Sequence, residues 1–220
     1  MSLGKIALSL FGSSIVLVLL LLYGRDYKSL STQDLRIIEK PDRVVIEWNG
    51  PVQEPMRYRI ANAIGKYRTD KRRLILSLHS PGGFVEHGRE VATAIQSASN
   101  VRKIETFIDK GGVCASMCVP IYLAGVNRIA DPGARFMFHE AKLAIPESVK
   151  KASETKMIVK SYERGATDDM FLSDFDMPRI NREWRISMRH KIVDADVWLT
   201  ARELMAQDSG VVDKLVFGSN

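Results

Sequence analysis

The chain has 220 residues, of which 45% are hydrophobic, and this is enough apolar material for one globular domain with an appendage. Its formal net charge is +6, but no run of like charge is long enough to act as a nucleic-acid-binding arm. We therefore predict no nucleic-acid partner, and we interpret the densest basic stretch, residues 66–73, as a surface connection.

The N-terminal region contains an uncharged stretch of 18 residues, 6–23. A helix of that length spans about 27 Å, close to the roughly 30 Å hydrocarbon core of a bilayer. No small-residue cleavage site follows Tyr23, so we predict that residues 1–26 form an uncleaved transmembrane anchor. The small residues at 12–14 leave a removed signal peptide as the alternative.

The charges around this stretch do not decide its orientation. Lys5 precedes it, and Arg25 and Lys28 follow it. Long domains cross a membrane largely regardless of flanking charge. We predict a single-pass protein whose globular domain is extracytoplasmic, in the periplasm.

The remaining chain alternates between strand and helix patterns. Residues 27–42 are polar and mixed, and we interpret them as a linker to a domain over residues 43–220. Strands are predicted at 43–48, 74–78, 101–108, 135–138 and 211–216, and helices at 53–67, 85–100, 178–191 and from the Thr200 capping box to Gly210. This alternation indicates an α/β fold with a mostly parallel sheet.

Residues 111–118, with the sequence GGVCASMC, lead from a predicted strand into an apolar stretch of helical length that ends at Gly125. A hydroxyl at a helix start lies near unpaired N–H groups and the positive end of the helix dipole, which stabilise an alkoxide or an oxyanion. Ser116 is therefore a candidate nucleophile. The Gly-x-Ser-x-Gly hydrolase signature is absent, and taken alone such a serine is more often a local cap.

Two other segments favour the catalytic interpretation of Ser116. The turn at residues 80–83, Ser-Pro-Gly-Gly, has paired glycines that allow a backbone N–H to point into a cleft without a Cβ atom in the way. His139 ends a predicted strand, a position at which α/β folds commonly hold a catalytic base.

Five short motifs occur in a fixed order along the chain. They are RVVI with PVQE (43–46, 51–54), SPGG (80–83), ASM (115–117), RFMFH (135–139), and DVWLT with GVVD (196–200, 210–213). Over roughly residues 43–216 this set resembles the Clp protease proteolytic subunit, within the wider Clp/crotonase fold. The resemblance implies repeated ββα units, a serine peptidase that needs no cofactor, a peptide or protein substrate and a homo-oligomer.

The resemblance also implies roles for individual residues. Ser116 would be the nucleophile, His139 the general base and Asp196 the group that orients the imidazole. The backbone N–H groups of Gly83 and Met117 would form the oxyanion hole. A serine hydroxyl needs such a base to take its proton, and the resulting imidazolium needs a fixed anion.

The third member of this triad has a competitor two positions away. Residues i and i+2 of an extended segment point to the same side, so geometry alone does not choose between Asp194 and Asp196. The motif favours Asp196. His79, His87 and His190 match no motif, and we interpret them as structural or surface residues.

Cys114 and Cys118 flank Ser116 and depart from the family pattern. The commonest interpretation is two small buried apolar side chains, and without a nearby histidine the pair is a poor metal site, so we predict no metal. On a regular helix their Cα atoms would be about 6 Å apart with unfavourable Cβ directions. An irregular first turn, which Pro120 favours, would allow a disulfide in an oxidising compartment.

The segment after His139 also departs from the family. In the Clp subunit a glycine-rich strand that aligns the substrate follows the catalytic histidine. This chain lacks that pattern, and a helical pattern begins at Glu147 instead. This supports a second functional class, a catalytically silent Clp/crotonase-fold binding or assembly protein at the membrane. Within the enzyme class, a Ser/Lys dyad resembling signal peptide peptidase A would need Lys142 or Lys150, and the placement of His139 counts against it.

Overall fold

The computed structural model of the protein describes residues 33–140, 179–193 and 195–217. Several predicted features lie outside these residues. They are the anchor at 6–23, the helix expected from Glu147, the lysines of the alternative Ser/Lys dyad, and Asp194. Within the described ranges, the helices are all too short or too polar to cross a membrane.

The described chain contains nine strands and five helices. The strands are β1 (Asp34–Glu39), β2 (Arg43–Asn49), β3 (Arg73–His79), β4 (Ile104–Ile108), β5 (Val113–Ala115), β6 (Arg128–Ala130), β7 (Arg135–Phe138), β8 (Val197–Thr200) and β9 (Lys214–Leu215). The helices are α1 (Met56–Lys66), α2 (Val85–Ser99), α3 (Cys118–Leu123), α4 (Arg182–Lys191) and α5 (Ala201–Ala206).

Six strands form the main sheet in the order β1-β2-β3-β4-β6-β9. Only β1 runs antiparallel to its neighbour, and every other pair is parallel. Alternate residues of β2 and β3 (Val44, Ile46, Trp48, Leu74, Leu76 and Leu78) are buried in one cluster with the inner faces of α1 and α2. The predicted α/β class with a mostly parallel sheet is confirmed.

The interpretation of residues 27–42 as a linker was wrong for residues 34–39. These residues form β1, which pairs with β2 from Asp34↔Asn49 to Glu39↔Val44. Leu35 and Ile37 pack against the core, while the intervening Arg36 is exposed. An edge strand in contact with solvent on one face keeps many polar residues, and this polarity concealed the strand.

A second sheet contains three strands in the order β5-β7-β8. β7 is central, parallel to β5 and antiparallel to β8. The sequence analysis did not identify β5, which residues 113–115 form. Within the apolar stretch that ends at Gly125, only Cys118–Leu123 is helical, so the helix begins just after Ser116. Pro120 is tolerated in the first turn of α3, where backbone N–H groups have no partner within the helix.

The C-terminal helices begin at side-chain caps. The Asn181 side chain accepts hydrogen bonds from the N–H groups of Glu183 and Trp184 at the start of α4, at 2.9 and 3.1 Å. At α5 the predicted capping box is confirmed, since the Thr200 hydroxyl accepts from the Glu203 N–H at 3.2 Å and Glu203 accepts from the Thr200 N–H at 2.7 Å.

A buried ion pair joins the C-terminal segment to β6. The Arg128 side chain is 1% exposed and donates from Nε and Nη2 to Asp213 at 3.1 and 2.6 Å. The backbone N–H of Arg128 also donates to Asp213, at 2.8 Å. Burial raises the pKa of Asp213, but the hydrogen bonds from Arg128 outweigh it and lower that pKa below its ordinary value.

We expect Asp213→Asn to lower the free energy of unfolding by about 3 kcal/mol or more, because it leaves the Arg128 charge buried without a counterion. Asp42→Asn is the control. The Asp42 carboxylate is exposed and pairs with Arg43 at 2.9 Å, so loss of its charge should cost less than about 1 kcal/mol. Urea unfolding of the three proteins measures both effects.

The same comparison has a defined pH dependence. The folded-state pKa of Asp213 is lowered, so its stabilising effect is complete above the ordinary value of 3.8 and is lost as the pH falls through the lowered pKa. The difference between wild type and Asp213→Asn should therefore shrink on acidification. Equal stability of the two proteins at pH 7 would contradict the assignment.

Candidate active site

The second sheet brings Ser116, His139 and Asp196 to one edge. Ser116 directly follows β5, His139 directly follows β7, and Asp196 directly precedes β8. Because β8 is antiparallel to β7, its first end lies beside the last end of β7. The Ser116 Oγ is 2.7 Å from the His139 Nε2, and the His139 Nδ1 is 3.7 Å from an Asp196 carboxylate oxygen.

Ser116 lies on a sharp turn between β5 and α3. Its φ of 53° is in the left-handed region, which residues other than glycine rarely adopt. Its N–H donates to the Met137 carbonyl at 2.9 Å, and its carbonyl accepts from the Val119 N–H at 2.9 Å. These bonds hold the turn on both sides and present the hydroxyl to the imidazole.

The pairing register explains why Asp196 faces His139. The antiparallel pairing of β7 with β8 sets Phe138 opposite Val197. One further step of the same register sets His139 opposite Asp196. Asp194 lies outside the described residues, so the structure gives no distance for it.

The contact between Asp196 and His139 is looser than the contact between His139 and Ser116. At 3.7 Å it exceeds the usual 2.7–3.2 Å of a hydrogen bond. The Asp196 side chain is 63% exposed, so water screens its charge. In this arrangement the carboxylate acts on the ring through a screened charge. Catalytic hydrogen bonds in ligand-free structures are often this long and shorten when substrate binds.

The backbone at Gly83 is oriented by a bridge to Val52. The Val52 N–H donates to the Gly82 carbonyl at 2.8 Å, and the Phe84 N–H donates to the Val52 carbonyl at 2.9 Å. In such a parallel bridge the central residue directs its own N–H away from the partner strand. Among the described residues, neither the Gly83 N–H nor the Met117 N–H donates to another backbone group.

The two glycines of the turn are required by close packing. A Cβ atom on Gly82 would lie 2.6 Å from the Ala115 carbonyl oxygen and 2.6 Å from the Ser116 Cβ. A Cβ atom on Gly83 would lie 2.2 Å from the Val52 carbonyl oxygen. The turn is therefore in direct contact with the segment that carries Ser116.

A disulfide joins Cys114 in β5 to Cys118 at the start of α3, with a Cα separation of 5.1 Å. Both residues are buried. Because Cys114 lies in a strand and the chain turns sharply at Ser116, the pair does not have the geometry of a regular helix. The disulfide closes a small ring around Ser116.

Two of the unmatched histidines lie apart from the site chemistry. The His79 Nδ1 accepts a hydrogen bond from the Val113 N–H at 3.0 Å, which links β3 to β5, and His190 is exposed on α4. Sequence reasoning missed the part played by Ser80, which bridges to Cys114 through backbone bonds of 2.8 and 3.0 Å and so aligns the glycine turn with β5. Its place in the SPGG motif was the available signal.

Comparisons with known proteins agree with this architecture. A family profile described as Clp protease matches residues 44–219, a range that contains every residue of the site. Among curated proteins, none matches the chain. Since the profile covers well over half of the chain, the protein belongs to the Clp protease family.

Proposed function

We propose that this protein is a serine peptidase that cleaves peptide bonds with Ser116, His139 and Asp196. The observation that carries the proposal is the 2.7 Å contact between the Ser116 Oγ and the His139 Nε2. A nucleophile and a base at this distance can exchange a proton, which is the first requirement of covalent acyl transfer. Membership of the Clp protease family supports the peptide bond as the target.

The reaction would proceed in two halves. The His139 Nε2 takes the hydroxyl proton as the Ser116 Oγ attacks the peptide carbonyl, and the imidazolium then returns this proton to the leaving amine. Water, activated by the same ring, hydrolyses the acyl-enzyme and restores Ser116. Asp196 stabilises the imidazolium, and the Gly83 and Met117 N–H groups donate to the oxyanion of each tetrahedral intermediate.

The substrate would be a peptide or an unfolded protein segment, and the active form would be a homo-oligomer. Family membership supports both parts of this proposal. We further propose that no ATP-driven unfoldase takes part, since the predicted membrane anchor favours a tethered enzyme over a partner of a cytosolic motor. The competing class is a catalytically silent binding or assembly protein at the membrane.

An active-site serine probe distinguishes these two classes. We expect a fluorophosphonate to label the wild-type protein and not Ser116→Ala, because the probe reacts with a hydroxyl whose proton is taken by a neighbouring base. Ser97→Ala, at an exposed position on α2, is the control and should label as the wild type does. Absence of labelling in folded wild-type protein would favour the silent class.

The same assay tests the alternative Ser/Lys dyad. His139→Ala should abolish labelling, because the imidazole lies beside the nucleophile. Labelling that survives in His139→Ala and disappears in Lys142→Ala or Lys150→Ala would replace our assignment with the dyad.

We expect Asp196→Asn to keep the fold and to lower kcat, because an amide cannot stabilise the imidazolium and can favour the wrong tautomer. The same change in the chymotrypsin triad lowers kcat about 10⁴-fold. The decrease in kcat should be smaller here, because the contact between Asp196 and His139 is long and exposed to solvent. Peptidase assays of Asp196→Asn and Asp194→Asn make the comparison. A larger loss in Asp194→Asn would show that the third member is misassigned.

We also propose that residues 6–23 anchor the protein in a membrane with its catalytic domain outside the cytoplasm. The 18-residue uncharged stretch supports the anchor, and the pairing of Cys114 with Cys118 suits an oxidising compartment. We expect the full-length protein to remain with membranes during alkaline carbonate extraction, and a membrane protein of known topology serves as the control. A mature, soluble chain that begins after Tyr23 would contradict the anchor.

A further inference from the structure

A cluster of potential metal ligands lies outside the proposed catalytic triad. Glu54, His87 and Glu90 each offer one nitrogen or oxygen atom, and these atoms lie within 4.8 Å of one another. Glu54 follows the segment that bridges to Gly83, and the other two residues lie on α2. Residues three apart on a helix share a face, so the side chains of His87 and Glu90 project toward the same region.

The environment of His87 is unusual for a structural histidine. The residue is 8% exposed, and among the described residues its buried Nε2 has no hydrogen-bond partner. Its Nδ1 is 3.4 Å from a Glu54 carboxylate oxygen, longer than a good charge-assisted hydrogen bond. When an ion is coordinated tetrahedrally with bond lengths of about 2.1 Å, two of its ligand atoms lie about 3.4 Å from each other. The Nδ1 side of the ring therefore faces Glu54 at a spacing that suits two ligands of one ion.

We propose that Glu54, His87 and Glu90 bind one divalent transition-metal ion of the Zn²⁺ class. One imidazole nitrogen and two carboxylate oxygens form a mixed donor set of a kind that Zn²⁺ accepts, with water in the fourth position. The two carboxylates balance the charge of the ion. Mg²⁺ is disfavoured because it prefers octahedral oxygen ligands and keeps several of its waters.

The proposed site departs from the sequence-based expectation of no metal. The ligands come from two segments that are distant in the chain, so no compact His or Cys spacing announces them. The fold brings Glu54 to α2 because Val52 pairs with Gly83 just before the helix begins.

The charged neighbours of the cluster are compatible with an ion. The Arg57 Nε lies 3.3 Å from one Glu90 carboxylate oxygen. Since a carboxylate has two oxygens, Glu90 can contact Arg57 through one and the ion through the other, and Arg57 would then orient the ligand. Glu86 lines the same surface depression but contacts Arg89 at 3.3 Å, so it is not part of the proposed set.

The position of the site gives the ion a mechanical effect. It would link the 52–54 segment to the first turns of α2, and the Phe84 N–H already bonds to the Val52 carbonyl across the same junction. Gly83 lies between these elements. The helix also packs on Met117, since a Cβ atom on Gly88 would lie 2.6 Å from the Met117 Cε. A bound ion would thus stiffen the backbone around both residues of the proposed oxyanion hole.

Calorimetric titration of Zn²⁺ into chelator-treated, full-length Ser116→Ala protein tests the proposal without depending on catalysis. We expect one ion per chain. Glu54→Gln and Glu90→Gln should each weaken Zn²⁺ binding by more than about tenfold. Mutation of residues that only hydrogen-bond to metal ligands already lowers metal affinity by that factor, and a direct ligand should matter at least as much. Glu86→Gln is the matched control, an exposed glutamate on the same helix, and should bind like its parent. The ion should also raise Tm in the parent and not in Glu54→Gln.

Three results would overturn the site. They are the absence of stoichiometric Zn²⁺ binding, binding that Glu54→Gln and Glu90→Gln leave unchanged, and Mg²⁺ binding as tight as Zn²⁺ binding, which would exclude the imidazole as a ligand. The glutamine variants are isosteric changes at exposed positions, so the test does not rely on replacing buried His87. Failure of the serine probe to label the wild type would affect the peptidase proposal and leave this one standing.

Discussion

The geometry of the site depends on the pairing of β7 with its two neighbours. β7 is parallel to β5 and antiparallel to β8, so the ends of β5 and β7 and the start of β8 meet at one edge of the sheet. Ser116, His139 and Asp196 occupy those three ends. A one-residue slip would turn the side chains of a strand to the other face, and burial of Phe136 and Phe138 fixes the register against such a slip.

Several independent contacts brace the turn that carries Ser116. A left-handed φ outside glycine costs of order 1–3 kcal/mol and persists only where the surroundings determine it. Here the disulfide, the bond to Met137 and the close approach of Gly82 all act on the same few residues. Together they offset the strain and hold the hydroxyl in one direction.

The sequence was informative where a local pattern had one physical meaning. The Thr200 capping box, the mostly parallel sheet and the glycine turn were predictable because capping, alternation and close backbone approach leave local signatures. β1 was missed because an edge strand tolerates charges such as Arg36. β5 was missed because Val113 to Ala115 are as apolar as the helix that follows, and only the backbone turn at Ser116 separates them. The proposed ligand cluster joins distant segments and has no local pattern.

The two halves of the site differ in how firmly they are held. Ser116 lies between buried residues, and Gly82 and Gly83 pack closely on Ser116 and Val52. Asp196, in contrast, is largely exposed and lies 3.7 Å from His139. Under the proposed function, the rigid half stabilises the oxyanion, and preorganised donors need no rearrangement as that charge develops. The looser half only supports a proton transfer. Exclusion of water by a bound substrate would strengthen the attraction between Asp196 and the imidazolium, because a charge pair interacts more strongly at lower effective dielectric. The strength of this pair would then depend on whether substrate is bound.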